Sequence, residues 1–361
     1  MYNKALEILK IFEQHNYLAY IVGGYPRDYL LGIKTNDIDI CTNATPKEII
    51  EIFNPESVSD NSYGSVVISY KGSHFDVTTM RKDIKYENNR KPIKIKYVSD
   101  LKTDLLRRDF TINTICIDSE CNFIDLMRAK PDIDRHIIKT VGNPRYKIKE
   151  DSLRILRAIR FASTLDFDID SKTKYYLKKY GYLLKHLSGS RKRSELDKIL
   201  TSKNKEKGRK LLIELELDKY LEINNLSEII LCDDIIGIWS QIDNLNNLPF
   251  SKLELETIKK IKKMLNEDIN EYTIYKYGLY ISSVVGSIKN ISYKKINDIY
   301  HNLSIHSKKD IVINAINISK TLNKEPGSYI KEIMEDIEKK ITTKVLPNEK
   351  KALLEYIKNN Y

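Results

Sequence analysis

The stretch Asn36-Asp37-Ile38-Asp39-Ile40 places two carboxylates two residues apart in a 361-residue chain. In a strand, that spacing turns both acids to one face and Ile38 and Ile40 to the other. Two anions side by side repel and need a cation to be stable. Mg2+ takes oxygen ligands and commonly bridges one or two carboxylates to nucleotide phosphates. A two-metal arrangement of this kind would activate an attacking hydroxyl and steady a pyrophosphate leaving group. Asp37 and Asp39 are therefore the candidate metal ligands and catalytic residues, with Mg2+ as the expected cofactor. A solvated Asp-x-Asp on an edge strand is the plain alternative. Asp76, in the apolar-flanked run His74–Thr79, is a further candidate acid.

Upstream, Tyr20-Ile21-Val22-Gly23-Gly24-Tyr25-Pro26-Arg27-Asp28 reads as a strand, a Gly-Gly turn and a helix with Pro26 at its first position. Glycines let a backbone approach a ligand closely, and a helix N-terminus offers free N–H groups to phosphate. Gly24 and Arg27 are candidate nucleotide-binding residues on that ground, Arg27 as a charge-assisted donor. A tight strand–helix turn without a ligand is the plain alternative.

These residues need a scaffold, and the periodicity supplies one. A helix is expected over 3–16, short strands at Leu18–Val22, Ile38–Cys41, Ser65–Tyr70, His74–Thr79 and Asn113–Ile117, and helical stretches around 27–31 and 46–53. Tyr70-Lys71-Gly72-Ser73 reads as a hairpin turn. From Asp151 onward helical spacing is almost continuous, at 150–163, 171–186, 191–202, 206–220, 225–245, 251–266, 271–285, 293–304, 307–323, 327–340 and 347–358. The expected class is α+β, an N-terminal α/β head followed by an all-α remainder. No apolar run approaches the ~18 residues that span a bilayer. The N-terminus lacks a secretory pattern, and the four scattered cysteines form no CxxC pair, which suggests a reduced, cytoplasmic setting.

The formal charge of +11 has an address. Residues 1–140 hold 20 basic and 20 acidic residues, 141–210 hold 20 and 8, and 211–361 hold 21 and 22. The excess lies in 70 residues, which favours a polyanion-binding surface there over a general lysine bias.

Four ordered blocks carry a resemblance. Gly-Gly-x-x-Arg-Asp followed by Asp-Ile-Asp-Ile, Arg107-Arg108-Asp109-Phe110-Thr111-Ile112-Asn113, Glu150-Asp151-Ser152-Leu153-Arg154-Ile155-Leu156-Arg157-Ala158-Ile159-Arg160-Phe161 and Ser188-Gly189-Ser190-Arg191-Lys192-Arg193-Ser194-Glu195 resemble the class II tRNA nucleotidyltransferases, the CCA-adding enzymes, which share this head with bacterial poly(A) polymerases. The match is close over 18–202. It implies a polymerase-β-like nucleotidyltransferase head at 1–140, a helical neck with the nucleotide-selecting helix at 141–205, and an all-α body and tail at 206–361 that binds tRNA. It also implies template-independent addition of C, C and A to a tRNA 3′ end from CTP and ATP, with no membrane and no obligate protein partner.

The selecting residues have a physical logic. Asp151 and Arg154, three apart on a helix, are neighbours on one face. A carboxylate only accepts and a guanidinium only donates. Cytosine and adenine each present an amino donor beside a ring acceptor, so this pair suits both, whereas uracil and guanine oppose it at ~1–3 kcal/mol per unpaired group. Arg108, Arg157 and Arg160 bind the nucleotide or hold its pocket by family analogy, or else pair with Glu150 and other acids. Arg191 and Glu195, four apart, brace the selecting helix. Apart from Arg154, Arg157 and Arg160, the basic surplus at Lys172 to Lys179, Lys185, Arg191 to Arg193 and Lys203 to Lys210 is left to meet RNA backbone.

The sequence departs from the family at Pro26, Thr114, Phe123–Ala129, which lacks the usual Pro-aromatic-Gly-Gly, and Ser190. Lys82–Pro92, with Asp83, Glu87 and Arg90, is similar to the flexible loop that CC-only enzymes lack, which favours full CCA addition. A-adding, CC-adding and poly(A)-polymerase activities are the alternatives within the family. A non-catalytic RNA-binding protein on the same fold is the alternative from another class.

Overall fold

The structure is a computed structural model that describes residues 1–54, 64–87 and 91–361, apart from the side chains of 85–87 and 91–94. Two compact units divide the chain, Met1–Ser227 and Glu228–Tyr361.

The first unit opens with α1 (Tyr2–Gln14), β1 (Ala19–Val22), α2 (Gly24–Leu30), β2 (Asp39–Thr42), α3 (Pro46–Phe53), β3 (Ser65–Tyr70), β4 (Ser73–Thr79), β5 (Arg81–Glu87), β6 (Lys91–Tyr97), α4 (Leu101–Arg107), β7 (Cys116–Ile117) and β8 (Phe123–Ile124). Six strands form one sheet in the order β3-β4-β2-β1-β7-β8. All its pairs are antiparallel except β2 with β4. The period of two sorts side chains to its faces. Ile21, Ile40 and Ile117 pack with Ala5, Ile8, Leu9 and Phe12 of α1 and Ile49 of α3. Their neighbours Val22, Cys41 and Cys116 pack with Leu101 and Leu105 of α4. Thr45 and Glu48 close a capping box on α3, with Pro46 at its start.

The unit continues through α5 (Lys130–Asp134), β9 (Ile137–Ile138), α6 (Pro144–Glu150), α7 (Leu153–Leu165), β10 (Asp168–Ile169), α8 (Ser171–Lys179), α9 (Gly189–Leu200), α10 (Lys205–Glu214) and α11 (Asp218–Leu221). Apolar residues of α7 (Ile155, Leu156, Ile159), α9 (Leu196, Ile199, Leu200) and α10 (Leu211, Leu212) are buried. The second unit is helical: α12 (Ile235–Ser240), α13 (Lys252–Leu265), α14 (Glu271–Ile288, kinked at Gly278), α15 (Tyr293–His301), α16 (Ala315–Leu322), α17 (Tyr329–Thr342) and α18 (Lys350–Asn360). Side-chain caps from Asp234, Ser251, Asn270, Ser292 and Asn314 start five of them. Among the described residues, no helix is long and apolar enough to cross a membrane.

The α+β expectation holds, with differences in detail. The hairpin over 65–79 forms in full register, Tyr70 opposite Ser73. Pro26 sits one turn into α2 rather than at its first position, still among N–H groups with no helical partner. Expected strand 113–117 shrinks to two residues after a 3₁₀ turn at Thr111–Asn113. Helix 225–245 shrinks to α12, which begins only where Asp234 accepts the Gly237 N–H. The Lys82–Pro92 segment, read as a flexible loop, takes part in the antiparallel β5–β6 pair; Arg90 lies outside the described residues, as does the side chain of Glu87.

Gly208 of α10 fixes the approach of that helix to its neighbours. A Cβ there would lie 2.5 Å from Ile199 Cγ2 and 3.1 Å from Ser163 Cβ. Gly208→Ala should therefore destabilise the protein by about 1–3 kcal/mol through overpacking, seen as a lower urea midpoint; an unchanged midpoint would show that α9 and α10 separate freely.

Candidate active site

Sheet register gathers the acids. Val22 ends β1 opposite Asp39, the first residue of β2, so the chain leaves β1 through Gly23 directly beside the Asp39 carboxylate. Gly23 has φ of 80°, and a Cβ there would stand 2.6 Å from Asp39 Oδ2. Glycine is thus required twice, by backbone conformation and by space. Asp37 lies in the loop before β2, exposed, its N–H donating to Thr35 Oγ1 at 3.2 Å. The two acids therefore do not share a strand, although Ile38 and Ile40 are buried as expected. Burial, then the charges of Asp37 and Asp76, push the Asp39 carboxyl up to about 6, with Arg108 opposing them. Asp76 stands in register with Asp39 across β2 and β4 but is itself exposed. Among the described residues no group of three acid, His or Cys side chains is placed to enclose a metal. Two carboxylates with an all-oxygen donor set and a cation-seeking charge fit Mg2+, which keeps other positions for water and phosphate oxygens.

All nine residues singled out from the sequence, Gly24, Arg27, Asp37, Asp39, Arg108, Asp151, Arg154, Arg157 and Arg160, line one cavity of about 530 Å³. Gly23, Arg81, Asp83, Arg107, Asp109, Asn113 and Phe161 complete its lining.

The selecting residues share the cavity without sharing a helical face. Asp151 occupies an extended junction between α6 and α7, with φ −143° and ψ 110°. Its Oδ1 accepts the Leu153 N–H at 3.0 Å and its Oδ2 accepts Arg191 Nη2 at 2.9 Å. Arg154 is buried and points elsewhere: Nη1 donates to Lys147 O at 2.7 Å and Glu150 Oε2 at 2.6 Å, and Nη2 to Arg107 O at 3.0 Å. Arg160 pairs with Glu195 at 3.3 Å. Arg191 and Glu195 of α9 thus grip the junction and α7, in the geometry of a brace. Pairing with acids and lining the cavity prove compatible for these arginines.

Two buried acids escaped the sequence reading. Asp109 accepts Arg157 Nε and Nη2 at 2.7 and 2.6 Å and the Asn113 amide at 3.1 Å. Burial alone would raise its carboxyl, but Arg157, Asn113 and the Phe110 N–H outweigh that and hold it well below the usual range. Asp104, fully buried, accepts Arg107 at 2.7 Å, Arg108 at 3.1 Å and the Arg81 N–H at 3.2 Å. Its i,i+3 and i,i+4 spacing to those arginines was the available signal. The basic surplus also needs one correction. Arg191 is committed to Asp151, Lys192 is buried, and Arg193 pairs with Asp197 at 3.5 Å, so these three do not belong to the open surface.

Carboxylates and guanidinium groups lining one cavity suit a nucleoside triphosphate, and the fold places the chain among the nucleotidyltransferases. The family model described as "Poly A polymerase head domain" matches residues 19–139. "Probable RNA and SrmB-binding site of polymerase A" matches 166–225, and tRNA nucleotidyltransferase domain 2 matches 243–357. The CCA-adding enzyme of Staphylococcus haemolyticus is 33% identical over 393 aligned residues, covering 100% of this chain and 98% of its own. That of Bacillus cereus (strain 03BB102) is 30% identical, covering 99% and 98%. The crystal structure of the Bacillus stearothermophilus CCA-adding enzyme in complex with CTP superposes with a TM-score of 0.88 at 26% identity, over 99% of this chain and 97% of that one. This chain belongs to the CCA-adding enzyme family.

Because the folded pKa of Asp39 is raised, metal-free protein binds an extra proton between the ordinary carboxylate range and about pH 6. Its contribution to stability is complete below that window and is lost as pH rises through it. Asp39→Asn should abolish this loss, leaving the variant on the order of 2 kcal/mol better placed relative to wild type at pH 7.5 than at pH 4. Thermal melts in EDTA check this; parallel pH profiles would show that the acids do not repel.

Proposed function

We propose that this protein adds C, C and A in turn to the 3′ end of tRNA, using CTP and ATP and releasing pyrophosphate, with residues 1–140 as catalytic head, 141–205 as neck and 206–361 as the tRNA-binding body and tail. The observation that carries this reading is that Asp37, Asp39, Asp151 and Arg154 all line one cavity. On this reading the protein is a cytoplasmic enzyme that takes no nucleic-acid template.

Asp37 and Asp39 would hold Mg2+, which when bound supplies charge neutralisation of the phosphates and a lowered pKa for the attacking hydroxyl. Gly23 keeps side-chain bulk away from that point. Gly24, Arg27 and Arg108 steady the triphosphate and sugar; the Nε of Arg108 is buried without a hydrogen-bond partner among the described residues, which suits a donor awaiting an anion. The RNA 3′ oxygen attacks the α-phosphorus in line, the bond to the β-phosphate bridge breaks, and pyrophosphate departs. Asp151 and Arg154 read the base edge, exchanging Arg191 and Glu150 for the donor and acceptor of C or A.

Purified protein given tRNA that lacks CCA, Mg2+ and labelled nucleotides should add two CMP and one AMP. Addition of CMP only, AMP only or long A tails would assign one of the alternative activities, and no incorporation would refute the enzyme. Asp37→Ala with Asp39→Ala should lower transfer at least 1,000-fold while tRNA affinity stays within about threefold, as expected for loss of a metal-organised step. Lys203, two residues before α10, and Lys210, within it, are exposed. Replacing both by Gln should weaken tRNA binding and reduce the slope of log K against log salt by about 1–2, without changing the C-to-U preference. An unaltered slope would remove this face from the RNA contact.

A further inference from the structure

Among the described residues, Phe161 is the one aromatic lining the cavity, and three guanidinium groups converge on it. Arg27, Arg157 and Arg160 lie 5.3, 5.2 and 4.6 Å from its ring centroid. They arrive from separate elements, Arg27 from α2 behind the Gly-Gly turn and the other two from α7. Each is also held on its far side: Arg27 by Asp28 at 2.7 Å and the Asn113 carbonyl oxygen at 2.6 Å, Arg157 by Asp109, and Arg160 by Glu195. The ring is itself fixed, packed edge-on to fully buried Phe110 at 81° with centroids 5.8 Å apart.

Three like charges around one point repel, and burial together with Arg157 already pulls the Arg160 guanidinium below its ordinary range. An aromatic face attracts cations through its quadrupole without neutralising them, which a carboxylate at the same place would do. Asp28, Asp109 and Glu195 balance the three charges on their far sides, while at the ring the quadrupole keeps the guanidinium groups in register without a carboxylate's claim on their N–H donors. We propose that Phe161 is a positioning residue that presents Arg27, Arg157 and Arg160 as a preformed cradle for the polyphosphate of the incoming nucleotide, common to CTP and ATP. This rests on the nucleotidyltransferase reading above and deepens it: charge recognition through Phe161 is separate from base recognition through Asp151 and Arg154.

The test compares Phe161→Leu and Phe161→Tyr in the full chain, both checked for wild-type melting cooperativity. Leucine keeps an apolar side chain but has no quadrupole, and tyrosine retains the ring. Phe161→Leu should raise KM about tenfold, by the same factor for CTP on tRNA lacking CCA and for ATP on tRNA ending in CC. It should leave kcat within about threefold and the CTP-over-UTP preference unchanged, and Phe161→Tyr should restore KM to within about threefold. Binding of tripolyphosphate, followed by calorimetry without RNA or nucleoside, should weaken in the leucine variant by a similar factor and recover in the tyrosine variant. That arm reads the cradle even if transfer activity is lacking, so failure of the enzyme reading and failure of the cradle are told apart. Unchanged tripolyphosphate binding in Phe161→Leu, a KM effect confined to one nucleotide, a loss of base preference, or no recovery with tyrosine would each overturn the proposal.

Discussion

An ionised carboxylate buried as deeply as Asp109 costs several kcal/mol unless cations and donors surround it. Here they come from two parts of the chain: Asn113 and the Phe110 N–H from the same turn, Arg157 from the middle of α7. Asp109 therefore cannot be satisfied unless α7 lies against the 107–113 segment, and Arg157 has no comparable partner if α7 moves away. The wall that carries the acids and the wall that carries the selecting residues are held at one spacing by this pair. Asn113 extends the hold to Arg27, so the connection runs from the Gly-Gly turn to α7 through three side chains.

The same economy recurs across the cavity. Seven arginines and five aspartates line it. Such a density of charge is tolerable because acids and bases alternate: Asp104 holds Arg107 and Arg108, Asp109 holds Arg157, and Asp151 meets Arg191 of α9. Asp37 and Asp39 are the exception. Among the described residues no ion pair offsets either of them, and the raised carboxyl of Asp39 records that imbalance. A cavity lined by both unpaired carboxylates and guanidinium groups has the charges that a metal–triphosphate complex would meet.

Much of this was legible in the residues. The alternation of Ile21/Val22 and Ile40/Cys41 specified a two-faced sheet, Gly23-Gly24 marked its turn, and the acid pair named the reactive end. Helical spacing placed α13, α14, α15, α17 and α18 of the second unit. Other features depended on contacts that spacing cannot show. Glu150 to Phe161 reads as one helix by periodicity, yet Asp151 leaves it because its carboxylate is drawn to Arg191, forty residues on, and to the Leu153 N–H. By contrast, Ile84 and Tyr86 alternate with charged residues in Arg81–Glu87, and Ile93, Ile95 and Tyr97 do so in Lys91–Tyr97, a period-two signal that the loop reading of Lys82–Pro92 passed over; the two runs pair with each other as strands. Arg191 to Arg193 looked like a surface run because composition does not tell which way a helix faces.

The partners of Asp151 and Arg154 carry a consequence for how tightly a base is held. On the proposed reading, in which these two side chains meet the base, each already has hydrogen bonds made within the protein, so a matching base would replace existing bonds and gain little, while a mismatched base would break them and leave both groups stranded. Discrimination of this kind operates as a toll on the wrong base instead of a reward for the right one. An enzyme that must release one nucleotide type and accept another at the same position is well served by a reader whose resting state is already content.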